Sequence, residues 1–139
     1  MPKTTKSGKP IKSELPSTLV KSEAKAQRTF AETYDSAIKE YGDEERAHRV
    51  AYAALKHSYE KVGDHWELKD QKGPSDARAE SGGPNASGET AEGVDANASK
   101  KHLQDVARRL DIAGRSTMTK DELVEAIKKA NRRESAAAR

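Results

Sequence analysis

Histidine and carboxylate side chains are the first candidates for chemistry in this chain of 139 residues. The four histidines lack the spacing of metal ligands, and His48 and His57, nine residues apart, point to opposite sides of one helix. The sequence contains no glycine-rich phosphate loop, no HExxH motif and no GxSxG motif. The carboxylates stand among lysines, as on solvated surfaces. The sequence therefore predicts that the protein is not an enzyme and has no catalytic residue, no metal site and no cofactor.

A basic C-terminal segment is the better candidate for function. Residues 99–139 contain 11 Lys and Arg against 6 Asp and Glu, whereas residues 70–98 contain 2 against 6. Such a positive field attracts polyanions, and free backbone N–H groups at the start of a helix following Thr119 form a natural phosphate site. We therefore predict nucleic acid as a partner. The predicted contact residues are Lys100, Lys101, Arg108, Arg109, Arg115, Ser116, Thr117, Lys120, Lys128, Lys129, Arg132 and Arg133.

The position of the aromatic residues indicates how this segment would bind. All six aromatic residues lie within residues 30–66, so the basic segment offers no ring for base stacking. Contacts with the phosphates of a duplex, most consistently DNA, are then the expected mode. The alternative is that the basic residues of the last helix only complement the helix dipole at its C-terminus. These residues are Lys128, Lys129, Arg132 and Arg133.

The stretch "EERAHRVAYAALKHSYEKVGDHW", residues 44–66, combines aromatic residues and histidines with charges. Its small and aliphatic residues fall on one stripe of a helix, which predicts that the stripe is buried. Tyr52, Tyr59 and Trp66 are then interpreted as core residues, because aromatic rings dominate small cores. The alternative is an exposed patch that binds a protein partner. This patch would consist of His48, Tyr52 and Tyr59.

Caps and apolar spacing predict a mostly α-helical fold in the first half of the chain. One helix begins after a cap at Ser22 and ends at Gly42, which suits a left-handed position. Asp43 caps a second helix, whose apolar stripe extends to Val62. Residues 10–13 and 65–69 are short extended segments. We predict that they pair as a two-stranded ribbon.

The second half is predicted to contain a helix, a short extended segment and a second helix. Ser99 caps the first of these helices, and Thr119 with Glu122 forms a capping box at the start of the second. The predicted organisation is a disordered basic N-terminus at 1–9, a small helical domain at 10–69, a flexible acidic linker at 70–98, a helix-extension-helix unit at 99–133 and a disordered tail at 134–139.

The composition limits the size of the core and indicates the cellular compartment. With 33% hydrophobic and 35% charged residues, the chain cannot form one continuous core. The absence of cysteine favours a reducing compartment, and the sequence shows neither a signal peptide nor an apolar run of membrane-spanning length. We expect a cytoplasmic protein without direct membrane insertion.

Residues 15–69 resemble the ChaB family of small bacterial proteins, which are named as cation transport regulators. The segments "LPSTL", "AETYDSAIKEY" and "EERAHRVAYAALKHSYEKVGDHW" carry the resemblance. The family has Trp where this chain has Tyr52, a small departure. The resemblance implies a helical fold with little strand. It supplies no catalytic residue and leaves the mechanism open.

Residues 100–130 resemble the N-terminal helical domain of the Rho transcription termination factor. The pattern "LQDVARRLDIAGRSTMTKDELVEAI" carries this resemblance and is also similar to the helix-extension-helix modules of SAP type, which bind DNA. In Rho the adjoining barrel does most of the RNA binding, and no such barrel follows here. The resemblance nevertheless implies nucleic acid binding by the C-terminal unit.

The sequence thus supports two hypotheses of function. The first is a non-enzymatic accessory or regulatory protein that binds duplex DNA through its C-terminal unit, with a link to transcription or its termination. The second is a ChaB-type regulator of a membrane cation/proton antiporter that acts through protein–protein contact.

Overall fold

Helices account for most of the residues that the computed structural model describes, which are residues 2–6, 9–69, 71–75 and 91–137. A two-stranded antiparallel ribbon lies between the two groups of helices. This architecture confirms the mostly α fold class. The helices are α1 (Ser17–Val20), α2 (Ala24–Tyr41), α3 (Glu44–Ser58), α4 (Lys100–Arg109) and α5 (Lys120–Ala137); the strands are β1 (Tyr59–Val62) and β2 (His65–Leu68); 3-10 turns occupy Lys12–Glu14 and Arg115–Thr117. None of the described helices combines the length and the hydropathy needed to cross a membrane.

Helices α2 and α3 form a hairpin that supplies most of the first core. Phe30 and Tyr34 of α2 are buried, and small residues of α3, such as Ala47 and Ala51, let the two helices approach closely. The turn between them confirms the predicted end of α2 and the predicted conformation of Gly42. Gly42 is left-handed and donates its N–H to the carbonyl of Ile38 at 2.8 Å.

The caps of α2 and α3 differ in how well they were predicted. The carboxylate of Asp43 accepts the N–H of Glu45 at 3.0 Å, as predicted for the N-cap of α3. Ser22, however, does not cap α2, which has Glu23 at its N-cap position. The Ser22 hydroxyl instead accepts the backbone N–H of Trp66 at 2.8 Å and donates to the carbonyl of Thr18. Ser22 therefore ties the ribbon to the helices.

The ribbon is formed by different residues from those predicted. Helix α3 ends at Ser58 rather than Val62, and β1 pairs with β2 in the register Tyr59 to Leu68. The predicted pairing of residues 10–13 with residues 65–69 is wrong, and Pro10 instead forms an isolated bridge with Thr4. The physical reason is the turn at Gly63, whose φ of 68° allows a tight hairpin. A local hairpin also closes a far shorter loop than the predicted pairing.

The two faces of the ribbon contact two different cores. Tyr59 and Trp66 lie on one face and pack into the core of α1, α2 and α3. Glu60, Val62 and Glu67 lie on the opposite face, since successive side chains of a strand alternate. Val62 belongs to the second core, which is formed mainly by the C-terminal helices. The ribbon therefore stands between the two halves of the chain and contacts both.

The C-terminal helices pack against each other through apolar residues at helical spacing, with like ends together: Lys100 acts on Glu122 at one end, and Leu110 and Glu134 both lie beside Gly63 at the other. Leu103 and Ala107 of α4 and Leu123 and Ile127 of α5 are fully buried. The Ser99 hydroxyl accepts the N–H of His102 at 3.1 Å, which confirms the predicted cap of α4. The pair is thus a compact unit with a short 3-10 turn between its helices.

Part of the predicted linker is packed against this unit. Ala91 and Val94 are buried in the second core, and the carbonyl of Gly93 accepts the N–H of Lys61 on the edge of β1 at 2.8 Å. Residues 91–98 therefore differ from the predicted flexible linker, because two apolar side chains and a backbone bond hold them. Residues 70 and 76–90 of that predicted linker lie outside the described residues.

Both termini are more ordered in the described residues than the sequence predicts. The backbone N–H groups of Lys3 and Thr4 donate to the carboxylate of Asp35 at 2.7 and 2.9 Å. At the other end, α5 continues to Ala137, beyond the predicted boundary at residue 133. Residues 1, 7–8 and 138–139 of the predicted disordered ends lie outside the described residues.

Candidate nucleic-acid interface

The predicted contact residues separate into cations that are free and cations that already have carboxylate partners. Five of the predicted cations are exposed and form no ion pair with any described residue. We call these five the free cations: Lys100, Lys101, Lys120, Lys129 and Arg133. On a helical wheel Lys101 points away from the buried face of α4, and Lys129 and Arg133 lie one turn apart on one side of α5.

Two arginines of the predicted set bind carboxylates in bidentate fashion. The Arg109 guanidinium donates to both carboxylate oxygens of Glu67 on β2, one of them at 2.8 Å. The Arg132 guanidinium donates to both oxygens of Glu92 at 2.9 and 2.5 Å. Lys128 lies 3.6 Å from the same Glu92 carboxylate. These cations are therefore partly neutralised within the protein itself.

These bonds shift the ionisation of the two acids. The hydrogen bond from Arg109 lowers the pKa of Glu67, and the hydrogen bond from Arg132 lowers the pKa of Glu92. Arg108 is paired more weakly, with its Nη2 3.8 Å from the carboxylate of Asp105. It remains mostly exposed and is available to a phosphate in a way that Arg109 is not.

The N-terminus of α5 is occupied by the protein's own side chains. The predicted capping box is confirmed: Glu122 accepts the N–H of Thr119 at 2.9 Å, and the Thr119 hydroxyl accepts the N–H of Glu122 at 3.2 Å. These bonds lower the pKa of Glu122, and Lys100 lowers it further by its charge. A carboxylate therefore lies where the sequence predicts a phosphate, so this helix end is a poor anion site.

The 3-10 turn before α5 holds the remaining predicted residues. The Arg115 guanidinium is partly buried and donates to the carbonyl of Ile112 at 3.1 Å. The Thr117 hydroxyl donates to the carbonyl of Gly114 at 3.0 Å, and Ser116 is exposed. These bonds shape the turn, and they leave Arg115 less free than Lys120 to reach a ligand.

The alternative partner patch does not form an exposed surface. Tyr59 is 1% exposed because the chain leaves α3 at Ser58 and turns this ring into the core. Its hydroxyl donates to Glu23 at 2.8 Å, and burial together with this bond raises the pKa of Tyr59 to about 12. Tyr52 is partly buried and packs edge-on against Phe30, with ring centroids 4.9 Å apart.

His48, the third member of that predicted patch, is also partly enclosed. Its ring lies edge-on to Tyr34 with centroids 4.9 Å apart, and burial lowers the pKa of His48. Within the described ranges, no cluster of His, Asp or Glu has the arrangement of a metal site. The aromatic stretch that stands out in the sequence is therefore mainly a packing element.

Sequence reasoning missed the acidic residues that bind the C-terminal helices. Glu60 and Glu67 face each other across the ribbon, and His102 and Arg109 lie seven residues apart on one side of α4. The His102 Nε2 atom lies 2.9 and 2.8 Å from the two oxygens of Glu60. Burial raises the pKa of Glu60, although the bond to His102 acts in the opposite direction. In the sequence, the seven-residue spacing of His102 and Arg109 was the signal that could have indicated these contacts.

Asn131 makes a further contact between the halves. Its side-chain oxygen accepts the N–H of Gly63 at 2.7 Å, and its side-chain nitrogen donates to the carbonyl of Lys61 at 3.0 Å. One buried amide thus satisfies two backbone groups of the hairpin. We call the whole set of contacts that the ribbon and residues 91–94 make with the C-terminal helices the seam.

Acid should weaken the fold through the paired glutamates. The pKa values of Glu67 and Glu92 lie below the ordinary value of 4.5. The stability that these two carboxylates contribute to the fold is therefore present above that pH and is lost as the pH falls below it. We expect the urea midpoint to drop between about pH 5 and about pH 3, and to drop less in the Glu67→Gln/Glu92→Gln variant.

The charge-matched control for this pH experiment is Glu32→Gln/Glu40→Gln, two exposed positions of α2. Glu60 contributes a slope of the opposite sign, because its raised pKa means that stabilisation is lost as the pH rises through that value. Burial, the largest cause of that raised pKa, is present in every chain compared, whereas the smaller contribution of the Glu67 charge is lost in the paired-glutamate variant. The prediction would be contradicted if the urea midpoint depended on pH equally in the paired-glutamate variant and in the control.

The fold and the site together define a class of small, mostly helical protein in which a ribbon joins a helical hairpin to a basic helix pair. Comparison with protein families agrees with this division. Residues 15–69 match the ChaB family, and residues 99–135 match the N-terminal domain of the Rho termination factor. Both resemblances seen in the sequence are thereby confirmed, and neither domain is of a catalytic kind. Neither the curated proteins nor the solved structures gave a match to the chain.

Proposed function

We propose that this protein is a non-enzymatic accessory or regulatory factor that binds duplex DNA through the phosphates. The observation that carries the proposal is the set of five free cations on α4 and α5, the helices matched by the Rho N-terminal domain. Exposed cations without carboxylate partners can neutralise phosphates at no cost in broken ion pairs. In this proposal the protein works in the cytoplasm and is linked to transcription or its termination.

The proposed mode of binding is electrostatic and weakly dependent on sequence. The free cations are lysines and one arginine on solvated helix faces, and the described part of the C-terminal unit presents no aromatic ring to a base. Phosphate contacts position a protein on a duplex without reading base edges. The dissociation constant should then be on the order of 10⁻⁴–10⁻⁶ M at physiological salt, and each phosphate contact should contribute a slope of roughly −0.9 to the salt dependence.

Removing three free cations should weaken binding and flatten its salt dependence. In the full-length chain, Lys101→Ala/Lys129→Ala/Arg133→Ala should lower the affinity for all duplex sequences alike. The slope of log K against log salt should become less negative by up to about 2.7, because up to three phosphate contacts are lost. The measurement is the fluorescence anisotropy of a labelled duplex titrated with protein at several salt concentrations.

The matched control removes the same charges from the first half of the chain. Lys25, Arg28 and Lys39 are exposed residues of α2, and their triple alanine variant also loses two lysines and one arginine. The control should bind nearly as the wild type does. If both triple variants lose the same affinity, binding reflects net charge alone and the proposed interface is refuted.

The match of residues 15–69 to ChaB favours a second candidate function. In this alternative the protein regulates a membrane cation/proton antiporter through protein–protein contact made by the first half of the chain. Val20 and Tyr41 are exposed apolar side chains of that half. The two candidates separate in the anisotropy experiment, since full-length protein that leaves the duplex unbound at low salt and high protein concentration would favour the antiporter regulator.

A further inference from the structure

We propose that the seam competes with nucleic acid: the carboxylates of Glu67 and Glu92 occupy arginines that would otherwise bind phosphate. The inference rests on the proposed function and adds an intramolecular inhibitor to it. Arg109 and Arg132 lie on the same two helices as the free cations. Each has a carboxylate in the bidentate geometry that a phosphate would use.

Both arginines are accessible to solvent while they are paired. The Arg109 side chain is 50% exposed and the Arg132 side chain is 59% exposed. A phosphate could therefore approach either guanidinium without the two halves of the chain separating. What prevents binding is the carboxylate already in place and not burial of the arginine.

The two acids are held in position by the fold. Glu67 lies on β2, directly across the ribbon from Glu60, which is buried and bound to His102. Glu92 precedes Gly93, whose carbonyl is fixed by the N–H of Lys61. Because each carboxylate is carried on an ordered backbone, it returns to its arginine with little loss of chain entropy. This preorganisation makes the acids effective competitors.

The acids come from outside the helix pair that they neutralise. Glu67 belongs to the region matched by ChaB, and Glu92 lies between the two matched regions. The partners of the two pairs are 42 and 40 positions apart along the chain. Residues that precede the helix pair in the chain therefore determine how many cations of that pair are available to DNA.

The test is Glu67→Gln/Glu92→Gln in the full-length chain, with duplex anisotropy measured against salt. Freeing two arginines should steepen the slope of log K against log salt by up to about 1.8, with higher affinity at low salt. The control is Glu32→Gln/Glu40→Gln, which changes the net charge equally on exposed positions of α2. A slope no steeper than that of the control overturns the inference while the proposed function stands.

Two further variants complete the test. Adding Arg109→Ala/Arg132→Ala to the double glutamine variant should cancel the gain, whereas the same arginine changes in the wild type should alter the slope little. An equally large loss in both backgrounds would mean that the arginines bind DNA despite their partners, which overturns the competition. Glu92→Gln alone, at an exposed pair, gives the same test with a gain of up to about 0.9 if the double variant folds poorly.

The proposed function fails separately from the inference. If the wild type, the control and the glutamine variants all leave the anisotropy unchanged, the chain does not bind duplex DNA and the competition falls with it. If only the glutamine variants bind, the competition is supported.

Discussion

Trp66→Ala is expected to lower the free energy of unfolding by about 3–5 kcal/mol, the cost of deleting a buried tryptophan ring. The ring is 4% exposed, and its Nε1 donates to the Thr18 hydroxyl at 3.2 Å. It also lies 6.2 Å from the ring of Tyr52, centroid to centroid, and against the backbone of Gly93. Its loss would therefore leave a cavity where the first core meets residues 91–94.

Urea denaturation followed by circular dichroism would measure this effect, since Trp66 is the only tryptophan and fluorescence would be lost with it. Leu68→Ala is the matched control, because Leu68 lies on the same strand but is 57% exposed. The control should shift the midpoint little. A Trp66→Ala midpoint equal to that of the control would refute the buried position of the ring.

Gly93→Ala is expected to destabilise the protein by about 2–5 kcal/mol through two effects. Gly93 has a φ of 95°, which L side chains rarely adopt. A Cβ atom there would also lie 2.7 Å from Cη2 of Trp66 and 2.8 Å from Cβ of Lys61, so the ring or the strand would have to move. The change should loosen residues 91–94 from the edge of β1 as well as lower the overall stability.

Gly114→Ala separates the two effects. Gly114 has a φ of 75°, but a Cβ atom at this position would meet nothing within 4 Å. The Gly114→Ala change should therefore lower the free energy of unfolding only by the backbone strain, about 1–3 kcal/mol. Urea midpoints give the stabilities, and amide hydrogen exchange at Lys61 reports the bond to Gly93. If the two alanine variants are equally stable, the close approach at Gly93 has no energetic effect.

The local parts of the fold could be predicted because their causes are local. The caps at Asp43, Ser99 and Thr119 depend on residues two or three positions away, and all three form as predicted. The ribbon could not be predicted in the same way. Val62 continues the helical spacing of Leu55, so periodicity alone extends α3 through β1, and only the turn at Gly63 decides otherwise.

The sequence could predict which cations form the candidate site, but not which of them are paired with carboxylates. Charge and spacing identify which residues of α4 and α5 are cations. Whether a cation is free depends on acids that are distant in sequence, such as Glu67 for Arg109, 42 residues away. The sequence does contain the feature that disfavours the predicted phosphate site at α5, since the capping box that starts the helix also places Glu122 on its N-terminus.

The cross-strand pair of Glu60 and Glu67 has a consequence for a chain that is still being made. Like charges directly opposite each other destabilise a ribbon, and here His102 and Arg109 offset that repulsion. Synthesis proceeds from the N-terminus, so both strands leave the ribosome before α4 exists. During that interval Glu67 has His65 of its own strand but not Arg109, Glu60 lacks His102, and the same two acids keep the uncovered face polar around Val62. The first half of the nascent chain therefore reaches its full stability only after the second half has emerged.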